Sequence, residues 1–144
     1  MSHVFLSQFH GEKTVWVFPL SESSLLYKLP FNFHGLANLK EPDYVKYPGL
    51  KHLKGYECTI KPGDTLYIPS GFWHYIQYST GGYSVSLRAL PGSFSDKMAG
   101  FRNLFLTRPF DNAMRILFKE KWFDHKIKAA ERRANRRLKK LNAV

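Results

Sequence analysis

Between Tyr56 and Ile76 turn residues interrupt the chain twice, and what remains between them is short and β-type. Tyr56-Glu-Cys-Thr-Ile60 and Thr65-Leu-Tyr-Ile68 flank a Pro62-Gly63-Asp64 turn. Pro69-Ser70-Gly71 then makes a second corner that delivers Phe72, Trp73 and His74 into the next strand. A histidine thus arrives at a set place among Phe72, Trp73, Tyr75 and Ile76. Apolar neighbours lower water access and favour the neutral imidazole, a good ligand for a divalent metal. A hydrogen-bonded core histidine fits the same pattern.

The flanking sequence is of the same kind. Ser2 to Phe9 and Thr14 to Phe18 are β-branched and aromatic runs joined by His10-Gly11-Glu12-Lys13, which predicts a hairpin. After His74 a strand ends at Tyr78, Ser79-Thr-Gly-Gly82 turns it, and Tyr83 to Leu90 runs back with period 2. One face of that run holds Tyr83, Val85, Leu87 and Ala89, and the other holds Ser84, Ser86, Arg88 and Leu90. If His74 and Ile76 look inward, the serines and Arg88 look in beside them.

A chain of 144 residues with 44% hydrophobic content buries one modest core, so one domain is expected. No apolar run approaches the roughly 20 residues that span a bilayer and no secretory pattern opens the chain, so a soluble cytoplasmic protein is expected, without membrane contact. Cys58 is the only cysteine, which excludes an intrachain disulfide and a cysteine-based zinc cluster; it reads as a small strand residue.

Beyond Pro19, Ser21 to Ser24 signals a helix start, and Leu25-Leu26-Tyr27 is a short apolar turn ending at Pro30. Residues 31 to 54 read as a long irregular loop with a helical turn at Asp43 to Tyr47, and its His34 and His52 read as solvated. From Ser93 the period changes. Phe94 to Leu106 and Phe110 to Phe123 fit amphipathic helices capped by Ser93 and Asp111 and punctuated by Pro91-Gly92 and Arg108-Pro109. Such helices cover a barrel end or form the face of a homodimer. The remainder, 124 to 144, is a basic helical tail. Residues 119 to 144 hold 10 Lys and Arg against 3 Asp and Glu, so most of the chain's +11 net charge sits there. Ile127, Ala130, Ala134, Leu138 and Leu141 lie at heptad spacing among its arginines. A weak RNA contact through phosphates and a solvated terminal helix both fit this composition.

The stretch Lys61-Pro-Gly-Asp-Thr-Leu-Tyr-Ile-Pro-Ser-Gly-Phe-Trp-His74 resembles the distal half of the JmjC-type and cupin-like Fe(II)/2-oxoglutarate oxygenases, the group that includes the hypoxia-factor asparaginyl hydroxylase. Phe5-Leu-Ser-Gln8-Phe-His-Gly11-Glu-Lys13 is similar to a second motif of that family, and the resemblance covers roughly residues 3 to 90. It implies a mainly β fold: residues 1–92 as part of a double-stranded β-helix (cupin or jelly-roll) barrel, incomplete at its N-terminal side, with the helices 93–123 appended. It also implies His74 as the last histidine of a two-histidine, one-carboxylate iron site. Lys13 would pair with the distal carboxylate of 2-oxoglutarate, Leu6 and Ile76 would wall the cosubstrate, and Ser86 and Arg88 would touch cosubstrate or substrate. Arg88 stands where the asparaginyl hydroxylase has a neutral residue, which leaves the substrate, protein or small molecule, open.

Counting back from Gly11 in the family register places the H-x-D/E carboxylate one position before Met1 and its histidine two before that. His10-Gly11-Glu12, the one H-x-E in the chain, falls in the predicted turn, where alternation cannot aim both side chains into a strand-lined pocket. The expectation is therefore the C-terminal part of a longer oxygenase, or a member that has lost iron. The alternatives are a cupin-like binding module without redox activity and a nucleic-acid-associated protein.

Overall fold

The computed structural model describes residues 2–32, 34–90 and 94–143. Six strands carry its first part: β1 (His3–His10), β2 (Lys13–Phe18), β3 (Tyr56–Ile60), β4 (Thr65–Ile68), β5 (Trp73–Tyr78) and β6 (Tyr83–Ala89). They form two antiparallel three-stranded sheets, ordered β4-β1-β6 and β3-β2-β5. This is the mainly β, partial jelly-roll arrangement expected, with helix following at the C-terminal side.

The connections differ from the sequence reading. β1 and β2 do not pair with each other, so His10 to Lys13 is not a hairpin. β1 has β4 and β6 on its two edges and β2 has β3 and β5, which leaves neither an edge for the other. Turn residues mark where the chain bends, and the edges already occupied decide which sheet it enters. The links β1 to β2, β3 to β4, β4 to β5 and β5 to β6 each cross between sheets, and only β2 to β3 returns to its own.

Gly11 makes the first crossing at φ +72°, and a Cβ there would lie 2.4 Å from the Gly81 carbonyl oxygen. That corner is stitched to the β5–β6 corner: Glu12 N donates to Thr80 Oγ1 at 2.9 Å, and Ser79 N donates to the Glu12 carbonyl at 3.1 Å.

The core lies between the sheets. Val4 and Leu6 of β1, Val15 and Val17 of β2, and Ile60 and Ile68 are buried together, with Cys58, Leu66, Phe72 and Ile76 packed around them. Full burial of a side chain of this size stabilises by about 1.5–3 kcal/mol. Cys58 is half-buried; burial, then the nearby Glu57 charge, pushes its thiol up, so the sulfur stays protonated against the Val15 carbonyl. The outer face of the β4-β1-β6 sheet is apolar and open, with Phe5, Tyr67, Val85 and Leu87 all exposed.

The strands belong to one compact unit, residues 1–20 with 54–97, and residues 21–53 with 98–144 form a second. In the second, a 3-10 turn ending at Ser24 leads into buried Leu25, Leu26, Tyr27 and Leu29. The Tyr27 hydroxyl accepts from Gly49 N at 3.1 Å, and its ring meets Tyr47 edge-on at 4.8 Å. Asp43 Oδ1 accepts from Val45 N and Lys46 N, closing the turn anticipated at 43–47.

Helix α1 (Phe94–Arg102) passes through a π turn, Asn103–Thr107, into α2 (Arg108–Leu141), which runs on through the boundary expected at Phe123. Pro109 sits in its first turn, where a missing N–H costs nothing. The helical path breaks at Lys119 (φ 43°, ψ −117°). Ser93 and Pro91-Gly92 lie outside the described residues.

Asp111 is not an N-cap. It is buried, and its carboxylate accepts from Trp122 Nε1 at 2.7 Å and Lys126 Nζ at 2.9 Å. Burial pushes that carboxyl up, but the bonds from Trp122 and Lys126 and the charges of Lys126 and Arg115 outweigh it and hold it below the ordinary range. Among the described residues, no helix is long and apolar enough to cross a membrane.

Candidate functional site

Strand register decides which side chains face one another. In the β2–β5 ladder Lys13 is opposite Tyr78, Val15 opposite Ile76 and Val17 opposite His74, and directly opposed residues share a face. Val15 and Val17 are core, so Lys13 and His74 lie on the core-facing side of the same sheet. In the β1–β6 ladder Val4 opposes Arg88, Leu6 opposes Ser86 and Gln8 opposes Ser84, again on the side that carries buried Val4 and Leu6.

The two faces meet. Lys13 Nζ donates to Ser84 Oγ across the sandwich, and the Arg88 charge acts on the His74 imidazole. All six residues singled out from the sequence, Leu6, Lys13, His74, Ile76, Ser86 and Arg88, therefore stand on the two facing surfaces. The amine is at one end, the imidazole and guanidinium are at the other, and Leu6 and Ile76 lie between. Four strand residues separate the rung of Lys13 from that of His74, about 13 Å at roughly 3.3 Å per residue.

Lys13 is fully buried, at 0% exposure. Its ammonium has the Ser84 hydroxyl and, at 5.5 Å, the Tyr78 ring, but no carboxylate within ion-pair distance among the described residues. Burial alone lowers its pKa. A buried cation lacking an anion is costly unless one is supplied, so the group fits a carboxylate ligand. His74 and Arg88 are exposed at the open end. Partial desolvation, then the Arg88 charge, lowers the His74 pKa and favours the neutral, ligating form.

The metal side is less complete. Among the described residues no group of three His, Cys, Asp or Glu side chains is placed to hold an ion. His74 is a single donor. Glu12 instead faces Lys61 at 3.8 Å, His10 stacks on Tyr83, and His34 and His52 are exposed. The residues present thus fit a carboxylate cosubstrate and do not by themselves fit an iron centre.

Gln8 was missed as a structural element of the site. It is buried, and its Nε2 donates to the carbonyls of His10 (2.6 Å) and Gly11 (3.0 Å). Its backbone N donates to Asp64 O at 3.0 Å and its carbonyl accepts from Gly63 N at 2.9 Å, so one residue fastens two corners beside Lys13. Its Oε1 is buried without a partner among the described residues. The signal was available: alternation from Val4 and Leu6 puts position 8 on the core face, where an amide needs a reason.

A model of the cupin-like domain matches residues 1–115. Lysine-specific demethylase 8 of Xenopus tropicalis is 36% identical over 87 residues, 57% of this chain and 19% of that protein. JmjC domain-containing protein D of Dictyostelium discoideum is 33% identical over 88 residues, 58% of this chain and 19% of that protein. Human tRNA wybutosine-synthesizing protein 5 is 31% identical over 100 residues, 68% and 31% respectively. The chain spans less than a third of the length of each of these relatives. With two sheets closing on a buried amine, and a family model matching most of its length, the chain belongs to the cupin-like domain family of JmjC type.

Proposed function

We propose that this chain forms the 2-oxoglutarate-binding part of an Fe(II)-dependent oxygenase. The observation that carries the reading is Lys13: a fully buried ammonium with no carboxylate partner among the described residues, on the same sheet face as His74. In this reading Lys13 and Ser84 take the distal carboxylate. Leu6 and Ile76 exclude water from the methylene carbons, and Ser86 and Arg88 line the end toward which the reacting carboxylate and the substrate point. An iron ion would be held by His74 as one neutral ligand together with an H-x-D/E pair of the family's kind, and would supply the chemistry of oxidative decarboxylation coupled to hydroxylation of a substrate C–H.

Calorimetric titration with 2-oxoglutarate and with succinate tests the cosubstrate assignment. Saturable binding by the wild-type chain is expected, with at least a tenfold loss in Lys13→Met, since about 1.4 kcal/mol is tenfold and a bond to a charged group contributes about 1.5–3 kcal/mol. Equal affinities in the two proteins would refute it. A second reading is a binding module without redox activity, in which His74 stays a single donor. Anaerobic Fe(II) titration in the presence of 2-oxoglutarate separates the two. Charge-transfer absorbance in a chain extended at its N-terminus through an H-x-D/E pair supports the oxygenase, and its absence there supports the module.

A further inference from the structure

We propose that one face of α2 binds the phosphodiester backbone of nucleic acid, without reading sequence. After the break at Lys119, α2 is helical to Leu141, and its basic residues differ in what they meet. Lys126 and Arg133 are engaged internally, Lys126 by buried Asp111 and Arg133 by the Lys28 carbonyl at 2.6 Å. Lys128, Arg132, Arg136 and Lys139 are exposed, and none has an ion-pair partner among the described residues; Arg137 and Lys140 are exposed too, at other angles around the helix, and exposed Lys121 lies beside the break at Lys119.

At 3.6 residues per turn Lys128, Arg132, Arg136 and Lys139 lie along the side opposite Ala130 and Ala134, buried positions of this half of the helix. These four span about 17 Å at 1.5 Å per residue. No acidic residue follows Glu131 on the helix, so nothing offsets the charge along its last two and a half turns.

The form of the row selects the partner. An anionic membrane is held by basic residues that flank an apolar face sunk between headgroups. Here the apolar stripe of the same segment is packed inside its own unit, with Ala130 and Ala134 at 1% and 0% exposure. A repeating anion in a line needs only spaced cations, and that is what the exposed face supplies. Nothing aromatic interleaves Lys128 to Lys140, which leaves no platform for stacking bases and makes the contact one of backbone alone.

Fluorescence anisotropy of the full chain with a labelled single strand and a labelled duplex, across salt, tests this. Four phosphate contacts give slopes of log K against log salt of about −2.8 for the strand and about −3.6 for the duplex. Affinity for the strand should then fall about fiftyfold between 50 and 200 mM salt. Substituting Lys128→Gln, Arg132→Gln and Arg136→Gln together, on an exposed face and with a good helix former, should cut the strand slope to about −0.7. Lys40→Gln, Lys46→Gln and Lys51→Gln together remove the same charge elsewhere and should leave the slope unchanged.

Equal loss in both triple variants would overturn the proposal, because net charge would then suffice. Tighter binding to phosphatidylserine vesicles than to either nucleic acid at the same salt would also overturn it. In the unsubstituted chain, nucleic acid should protect Lys128 and Lys139 from amine acetylation while leaving Lys51 reactive; the same protection at Lys51 counts against it.

Discussion

Replacing Lys13 by methionine tests whether the buried amine is kept for a ligand and not for the fold. The ammonium has lost its water and received one hydroxyl and the face of Tyr78 in return. Burying an ion costs several kcal/mol. Against that stand roughly 1 kcal/mol of cation–π attraction and roughly 2 kcal/mol for the charged hydrogen bond to Ser84. Methionine has a similar reach, keeps a sulfur–ring contact and removes the ion, so Lys13→Met should stabilise the ligand-free chain by about 1–2 kcal/mol at neutral pH.

The pH dependence has a definite sign. The folded-state pKa of Lys13 is lowered, so between that value and the ordinary lysine value, about 10.4, the unfolded chain binds more protons and wild-type stability rises with pH. The advantage of the variant should therefore shrink across that window. Urea unfolding read by tryptophan fluorescence measures both. Succinate at a hundred times its dissociation constant for the wild type should add about 2.7 kcal/mol to the wild type and at most about 1.4 kcal/mol to the variant. A methionine variant that is less stable at neutral pH and gains equally from succinate would refute the reasoning.

In the helical unit, Asp111→Asn leaves Lys126 charged and unmatched in a buried place, and should cost about 3–5 kcal/mol by urea unfolding. Because the Asp111 pKa is lowered, the stability it contributes is present above the ordinary aspartate value, about 3.9, and should be lost as pH falls through the lower folded value. At the open end of the sandwich, Arg88→Gln removes a charge that disfavours imidazolium, so the His74 titration midpoint followed by NMR should move up while remaining below that of an unhindered histidine.

Much of this was legible in the residues. Pro62-Gly63 and Pro69-Ser70-Gly71 bounded strands that form within those limits, and period 2 placed Ser84, Ser86 and Arg88 on one face of β6. What could not be read was the partner of each strand. His10 to Lys13 has turn chemistry, but whether the next strand joins its predecessor depends on which edges β4, β5 and β6 have already filled, a tertiary fact. Asp111 misled in a similar way. An aspartate after a proline resembles a cap, and only a lysine fifteen positions on shows that it is half of an ion pair. Lys13 alone reads as a solvated turn residue; its burial follows from the crossing at Gly11, which turns the start of β2 inward.

The link from β2 to β3 is the one that leaves a sheet and comes back to it, and its two ends are neighbours: Val17 sits across a single rung from Tyr56. To the sandwich it is an enlarged loop on a closed ladder, and lengthening such a loop twofold costs only about 0.6 kcal/mol of closure entropy. The sandwich itself would accept new termini or a foreign module there, and because residues 21–53 also give buried Leu25, Leu26, Tyr27 and Leu29 to the second unit, the place for either is an exposed point such as Val45.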